Sequence, residues 1–170
     1  GRTAVFAGRG STAEAVLVVA DTIKPTSAEA IAAFHDLGLT VTLLTGDNAR
    51  TANSVGKAVG VDHVIAEVLP DGKAAEIVRL QAEGRRVAMV GDSINDAPAL
   101  ANATVGIAMG GAGTAAALET ADVALMGDDL SKLPFAIGLS RSARRIIRQN
   151  LVIALGTIVV LATATTLGFA

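Results

Sequence analysis

V-A-M-V-G-D-S-I-N-D-A-P-A-L, residues 87–100, is the stretch on which the fold turns. Residues 87–90 form a continuous apolar run, the pattern of a buried strand in a parallel sheet rather than of an alternating, half-exposed one. The run stops at Gly91-Asp92, and Asn95, Asp96 and Pro98 follow. Proline suits the first turn of a helix, where its missing N–H costs nothing. The two acids and the amide are therefore expected on a loop at the carboxyl end of a strand, where open α/β sheets place their ligands. Two carboxylates and an amide converging there suit a hard, oxygen-seeking cation such as Mg²⁺. The plain alternative is a polar strand-to-helix loop, since short motifs of this kind recur by chance.

Upstream, the pattern of strand, tight turn and helix repeats. Residues 39–44 read as a strand running into Thr45-Gly46-Asp47-Asn48, and a helix is expected over 49–59 with Gly60 as its stop. Asn48 or Asp47 can cap that helix. A phosphate at its N-terminus would meet unpaired N–H groups, with the Thr45 hydroxyl as a further donor. An ordinary capped turn fits the same residues. A short strand is expected over 63–66, and Leu69-Pro70-Asp71-Gly72-Lys73 opens another helix, with Ala74, Ile77, Val78 and Leu80 on its apolar face and Gly84 at its end. Lys73 stands in the first turn, where the helix macrodipole disfavours a cation. A local rule broken in this way hints at a function elsewhere in the fold, although a solvated surface lysine breaks it too.

The N-terminal portion reads as two strands, 3–7 and 15–20, around the turn Gly8-Arg9-Gly10-Ser11. After the break at 21–25, a helix is expected from a Thr26 or Ser27 cap to Gly38, burying Ala30, Ile31, Phe34 and Leu37. His35 and His63 have no second ligand at metal spacing and read as ordinary surface or structural histidines. Downstream of the central motif, 105–109 and 123–126 read as strands, with a glycine-rich connection over 110–114 and a helix through Ala121 between them. Alternating strands and helices predict an α/β parallel sheet with helices on both faces.

The last forty residues change character. Residues 129–150 read as a helix carrying Arg141, Arg144, Arg145 and Arg148, and 151–170 contain no charged residue. About 20 apolar residues cross a bilayer as a helix. The Leu, Val, Ile and Phe residues of this run would supply at most about −3 to −6 kcal/mol of insertion free energy. Its threonines and glycines reduce that, and threonine can back-bond within the helix. The arginines before the run would place the N-terminal part in the cytoplasm. A buried helix of a water-soluble protein is the alternative.

Composition excludes several classes. The chain has 170 residues, 51% hydrophobic, with a net charge of −2, which suggests no nucleic-acid partner. Without cysteine there is neither a disulfide framework nor a thiolate metal site, and without Trp or Tyr there is little to stack on a base. Residues 1–10 lack the apolar core of a signal peptide, and the absence of an initial Met suggests a piece of a longer protein.

Taken together, T-G-D-N at 45–48, the lysine of L-P-D-G-K at 73, and G-D-S-I-N-D-A-P-A-L at 91–100 resemble the phosphorylation domain of P-type cation-transporting ATPases, a branch of the haloacid dehalogenase superfamily. Thr45, Lys73, and Asp92 with Asp96 match the superfamily's second, third and fourth motifs in order. The resemblance implies a haloacid dehalogenase-like three-layer fold with a parallel sheet, lacking its nucleophile strand, followed by a transmembrane helix. It implies that 1–20 close a nucleotide-binding domain, 21–140 form part of the phosphorylation domain, and 141–170 are a basic linker helix and a membrane helix. It also implies ATP as substrate and Mg²⁺ held by Asp92 and Asp96. Thr45, Gly46, Asp47 and Lys73 would lie on nucleotide or phosphate, and Thr45, Lys73 and Asn95 would serve catalysis.

The segment A-T-V-G-I-A-M-G-G-A-G-T-A-A-A-L-E-T-A-D-V-A-L-M at 103–126, with D-D-L and L-S-R-S after it, is similar to the heavy-metal branch. The early part of the last helix lacks the Tyr-Asn pair usual in copper pumps. It also lacks the lysine usual near Thr157 in the zinc/cadmium group, which leaves a cobalt-type or broad divalent pump as the nearest pattern. The implied whole is an ATP-driven exporter of a divalent heavy metal in the plasma membrane, working through an aspartyl phosphate.

The sequence departs from the family in three places. Ser93 stands where the motif has a second glycine, Gly72 stands where an acid precedes the lysine, and D-K-T-G-T with the aspartate nucleophile does not occur in these residues. The chain by itself is therefore expected to be inactive. Two further readings use the same residues: a phosphatase of the same superfamily, and a non-catalytic membrane-anchored fragment.

Overall fold

The computed structural model describes residues 3–9, 12–19, 22–110 and 115–168. The turn at Gly10-Ser11, Asp21 and the glycine-rich connection at 111–114 lie outside the described residues. Contacts divide the chain into two units, Gly1–Ser131 and Lys132–Ala170.

The first unit opens with strands β1 (Thr3–Arg9) and β2 (Thr12–Val19), paired antiparallel with a bulge at Ala7/Gly8. Helix α1 (Ser27–Asp36) follows. Its N-cap, Thr26, makes no side-chain bond; the turn is closed by Ser27 N–H donating to the Lys24 carbonyl at 3.0 Å instead. Strand β3 (Thr42–Leu44), helix α2 (Ala49–Val59) and strand β4 (His63–Ile65) form a parallel βαβ unit. Asn48 caps α2 by accepting from Thr51 N–H at 3.0 Å, and Gly60 ends it at φ +84°, a conformation open mainly to glycine. Helix α3 (Pro70–Ala82) leads to β5 (Ala88–Gly91), α4 (Ala97–Asn102), β6 (Val105–Met109), α5 (Ala115–Thr120) and β7 (Val123–Leu125). Strands β5, β6 and β7 form a parallel sheet in that order.

The predicted strands are present with shifted ends: β3, β4 and β7 are shorter, β6 matches 105–109, β5 lies one residue later, and β1 and β2 run longer, with Gly8 and Arg9 of the expected turn inside β1. Strand β3 begins only at Thr42 because Val41 is committed elsewhere. Its N–H donates to the Asp62 carboxylate at 2.7 Å, and its carbonyl accepts from Asp62 and His63 N–H. Val87 likewise sits outside β5, its N–H on the Thr104 hydroxyl. Of the run 87–90, only Met89 is fully buried. Val78, predicted on the apolar face of α3, is 49% exposed, and Ile77 alone of that face is fully buried.

The core joins Ile77, Met89, Ala99, Leu100, Ala108 and Ala117, with Leu44 packed against them. Leu100 is essentially inaccessible, worth about 1.5–3 kcal/mol of apolar burial. No backbone pairing joins β3 to β5 among the described residues, so the two parallel pieces share this core without sharing a hydrogen-bond ladder. Close packing of α4 on β6 depends on Gly106, where a Cβ would stand 2.7 Å from the Leu100 carbonyl oxygen. Backbone cannot swing aside as a side-chain tip can, so Gly106→Ala should cost about 1–3 kcal/mol. A lowered thermal midpoint of the intact protein would record it, and an unchanged midpoint would contradict the packing argument.

The second unit is one continuous helix, α6 (Lys132–Thr166), where the sequence divides it into a basic helix and an apolar one. Pro134 lies in its first turn, where no helical bond is lost. It is long and apolar enough to cross a membrane by length and composition. The hydroxyls of Thr157, Thr163, Thr165 and Thr166 donate to carbonyls three or four residues back, at 2.9–3.0 Å. Those bonds satisfy the polar atoms within the helix, as an apolar environment requires.

Candidate functional site

Strand β5 delivers Gly91 and Asp92 to its carboxyl end, and the chain then tightens into a 3-10 turn at Ile94–Asp96 before α4. Ser93 and Asp96 close this turn reciprocally. The Asp96 N–H bonds back to Ser93, while the Ser93 hydroxyl and N–H donate to Asp96 Oδ2 at 2.8 and 3.3 Å. Ser93 adopts φ −112° and ψ 160°, ordinary extended backbone, so serine meets no strain where the family pattern has glycine. Gly91 makes room for the turn: a Cβ there would lie 2.7 Å from Asp96 Cβ.

Asp96 is 5% exposed, the one charged residue buried among those described. Its second oxygen, Oδ1, accepts from Lys73 Nζ at 2.7 Å. The cation that sits against the dipole at the start of α3 is thus spent on a buried carboxylate from another loop. Burial pushes the Asp96 carboxyl up, but the hydrogen bonds and charge of Lys73 and the Ser93 donors outweigh it and hold the group below the usual carboxylate range. Asp92 contrasts with it, being exposed and without any hydrogen bond or ion pair among the described residues.

Lys73, Asp92 and Asp96 line one cleft of about 290 Å³ at the carboxyl ends of β3, β5 and β6, walled in part by Leu44, Met89 and Met109. Such an edge is where parallel sheets bind ligands. Thr45 follows Leu44 directly, half-buried, its hydroxyl accepting from Asp47 N–H at 3.1 Å and keeping its own proton to donate. Gly46 and Asp47 are exposed beside it, and Asn95 is exposed in the 3-10 turn; neither these three nor Thr45 line the cleft. The N-terminus of α2 is more occupied than the sequence suggests. Ala49 N–H donates to Glu67 Oε1 at 3.2 Å and Thr51 N–H to Asn48, so two of its free donors are already taken.

Three residues of this region escape sequence reasoning. Lys24 and Asp128 form an ion pair and both line the cleft, although one sits in a helix-breaking stretch and the other beside a second aspartate. Glu67 is held at φ +59°, the one non-glycine residue in the left-handed region among those described, and from there its carboxylate reaches α2.

The donor set fits Mg²⁺. This cation is commonly bound through one or two carboxylates, with water and phosphate oxygens completing its shell. Asp92 offers an uncommitted carboxylate on the cleft, whereas both oxygens of Asp96 are engaged by Lys73 and Ser93.

The chain is similar to known proteins over most of its length. Residues 1–104 match the haloacid dehalogenase-like hydrolases. The chain is 53% identical over 157 residues to a cadmium-transporting ATPase of Staphylococcus aureus, covering 92% of this chain and 22% of that protein. It is 52% identical over 156 residues to a copper-exporting P-type ATPase of Bacillus subtilis (strain 168), covering 92% and 19%. The chain thus spans about a fifth of the length of these relatives. Among solved structures it is similar to a zinc-transporting PIB-type ATPase in its E2.Pi state, with a TM-score of 0.89 and 39% identity over 100% of this chain and 28% of that one.

Proposed function

The chain belongs to the haloacid dehalogenase-like hydrolases, in the form that matches heavy-metal P-type ATPases over most of its length, and we propose that it is the supporting half of the phosphorylation site of such a pump. The observation that carries this reading is the convergence of Lys73, Asp96 and the uncommitted Asp92 on one strand-end cleft. In it, residues 1–20 close a nucleotide-binding domain, 21–140 are part of the phosphorylation domain, and 141–170 carry the basic helix into a plasma membrane with the first unit cytoplasmic. The arginines before the apolar run support that orientation.

The chemistry proposed is in-line transfer of the γ-phosphoryl group of ATP to an aspartate outside these residues. Mg²⁺, held by Asp92 and supported by Asp96, would supply positive charge against the phosphoryl oxygens. Lys73 balances further charge there, close enough to its carboxylate partner to stay oriented. Thr45 donates a hydrogen bond to a phosphoryl oxygen, with Gly46 and Asp47 on nucleotide or phosphate beside it, and Asn95 orients phosphate or water. The cargo is a heavy-metal cation bound elsewhere in the pump. Cadmium, copper and zinc are the metals named for the relatives, and a divalent one is proposed here.

The test uses the intact protein in inside-out membrane vesicles. ATP should drive accumulation of Cd²⁺, Zn²⁺ or Co²⁺, with an acid-stable, hydroxylamine-sensitive label from γ-labelled ATP. The 170-residue chain by itself should take up no label. Absence of both label and transport in the intact protein would overturn the pump reading, and label acquired by the isolated chain would overturn its supporting role.

A further inference from the structure

We propose that Ser93 is a positioning residue that locks the Asp96 carboxylate in place for Mg²⁺-dependent phosphoryl transfer, a part that glycine at this position could not play. The inference rests on the phosphorylation-site reading above. Its basis is that Asp96 is held at both oxygens by donors of different kinds. Oδ1 faces Lys73 Nζ at 2.7 Å, a charged partner on the tip of a long, flexible side chain. Oδ2 faces the Ser93 hydroxyl at 2.8 Å, on a side chain with a single rotatable bond, anchored three residues away in the same turn. The Ser93 hydroxyl can accept and donate at once, so it ties both the backbone and the carboxylate of Asp96.

With glycine or alanine at 93, Oδ2 would retain only the Ser93-position N–H at 3.3 Å, and rotation of the carboxylate would be opposed chiefly by Lys73. Asp96 would then no longer be fixed beside Asp92, and Lys73 would follow its partner.

The experiment compares wild type, Ser93→Ala, Ser93→Gly and Ser93→Thr in the intact protein. Phosphoenzyme formation from ATP is titrated with Mg²⁺, and binding of Mn²⁺, a paramagnetic stand-in, is counted by electron paramagnetic resonance without nucleotide. The alanine and glycine variants should need about three- to tenfold more Mg²⁺ for half-saturation, the range lost with one hydrogen bond. Mn²⁺ affinity should fall in parallel, and Ser93→Thr should restore both because the hydroxyl is kept and the extended backbone accepts a β-branched residue. Should alanine impair folding, the glycine variant carries the same expectation. Unchanged half-saturation in the hydroxyl-less variants, or failure of threonine to rescue, would overturn the role of Ser93. A wild-type protein that shows no Mg²⁺-dependent phosphoenzyme would overturn the phosphorylation-site reading together with it.

Discussion

Replacing Asp92 with alanine in the intact protein should reduce phosphoenzyme formation from ATP by at least about 10²–10³-fold, the scale of losing one major electrostatic contribution to a transition state. The side chain is exposed and, among the described residues, makes no hydrogen bond or ion pair. Its removal should therefore change stability by no more than about 0.5 kcal/mol, as for other surface sites. That separation makes the variant informative: chemistry and fold should part company. Asp92→Asn should recover only part of the activity, because a neutral amide oxygen is a poorer donor to a hard cation than a carboxylate. Rapid filtration of labelled phosphoenzyme, with thermal unfolding of the same preparations, measures both quantities. Normal phosphorylation of Asp92→Ala would remove the central claim about this site.

The sequence already carried much of this architecture, wherever one short segment suffices to determine it. Asn48 as cap, Gly60 and Gly84 as left-handed stops, and Pro98 near the start of α4 depend on neighbours within a turn. What could not be read were contacts made across the fold. Nothing local tells Val78 from Ile77 on α3, yet one faces solvent and the other the core. Lys24 and Asp128 come together only once the whole unit has folded, and Glu67 enters its left-handed conformation to cap a helix 18 residues upstream. Lys73 lies between these cases. Its conflict with the helix dipole was visible in the sequence, whereas the carboxylate that resolves the conflict was not.

Lys73→Ala is expected to damage both chemistry and stability, to different degrees and for separable reasons. Phosphoryl transfer should fall about 10²–10³-fold if Lys73 has the charge-balancing role proposed for it, since that cation is lost. Stability falls because Asp96, with a side chain only 7% exposed, keeps its charge without its cation. Breaking a buried pair on one side costs about 3–5 kcal/mol when nothing compensates. Here the Ser93 donors remain and Lys73 is itself 19% exposed, so water can enter the space it leaves, and about 1–3 kcal/mol is the better expectation. The pH dependence follows with a definite sign. In the wild type the Asp96 carboxyl is held below its ordinary value of 3.8, so its contribution to stability is present above that value and disappears as pH falls through the lowered one. Without Lys73 the native value rises, and less stability is left for acid to remove. The double variant Lys73→Ala/Asp96→Asn separates the two losses: by neutralising the stranded carboxylate it should recover most of the stability and none of the phosphorylation. Denaturant unfolding between pH 3 and 7 and single-turnover phosphorylation would read the two effects side by side. If Lys73→Ala lost stability but kept its phosphorylation rate, the lysine would be a structural partner of Asp96 and the charge-balancing role would fall. If the double variant recovered phosphorylation as well, the defect in the single variant would lie in the stranded charge rather than in the missing cation.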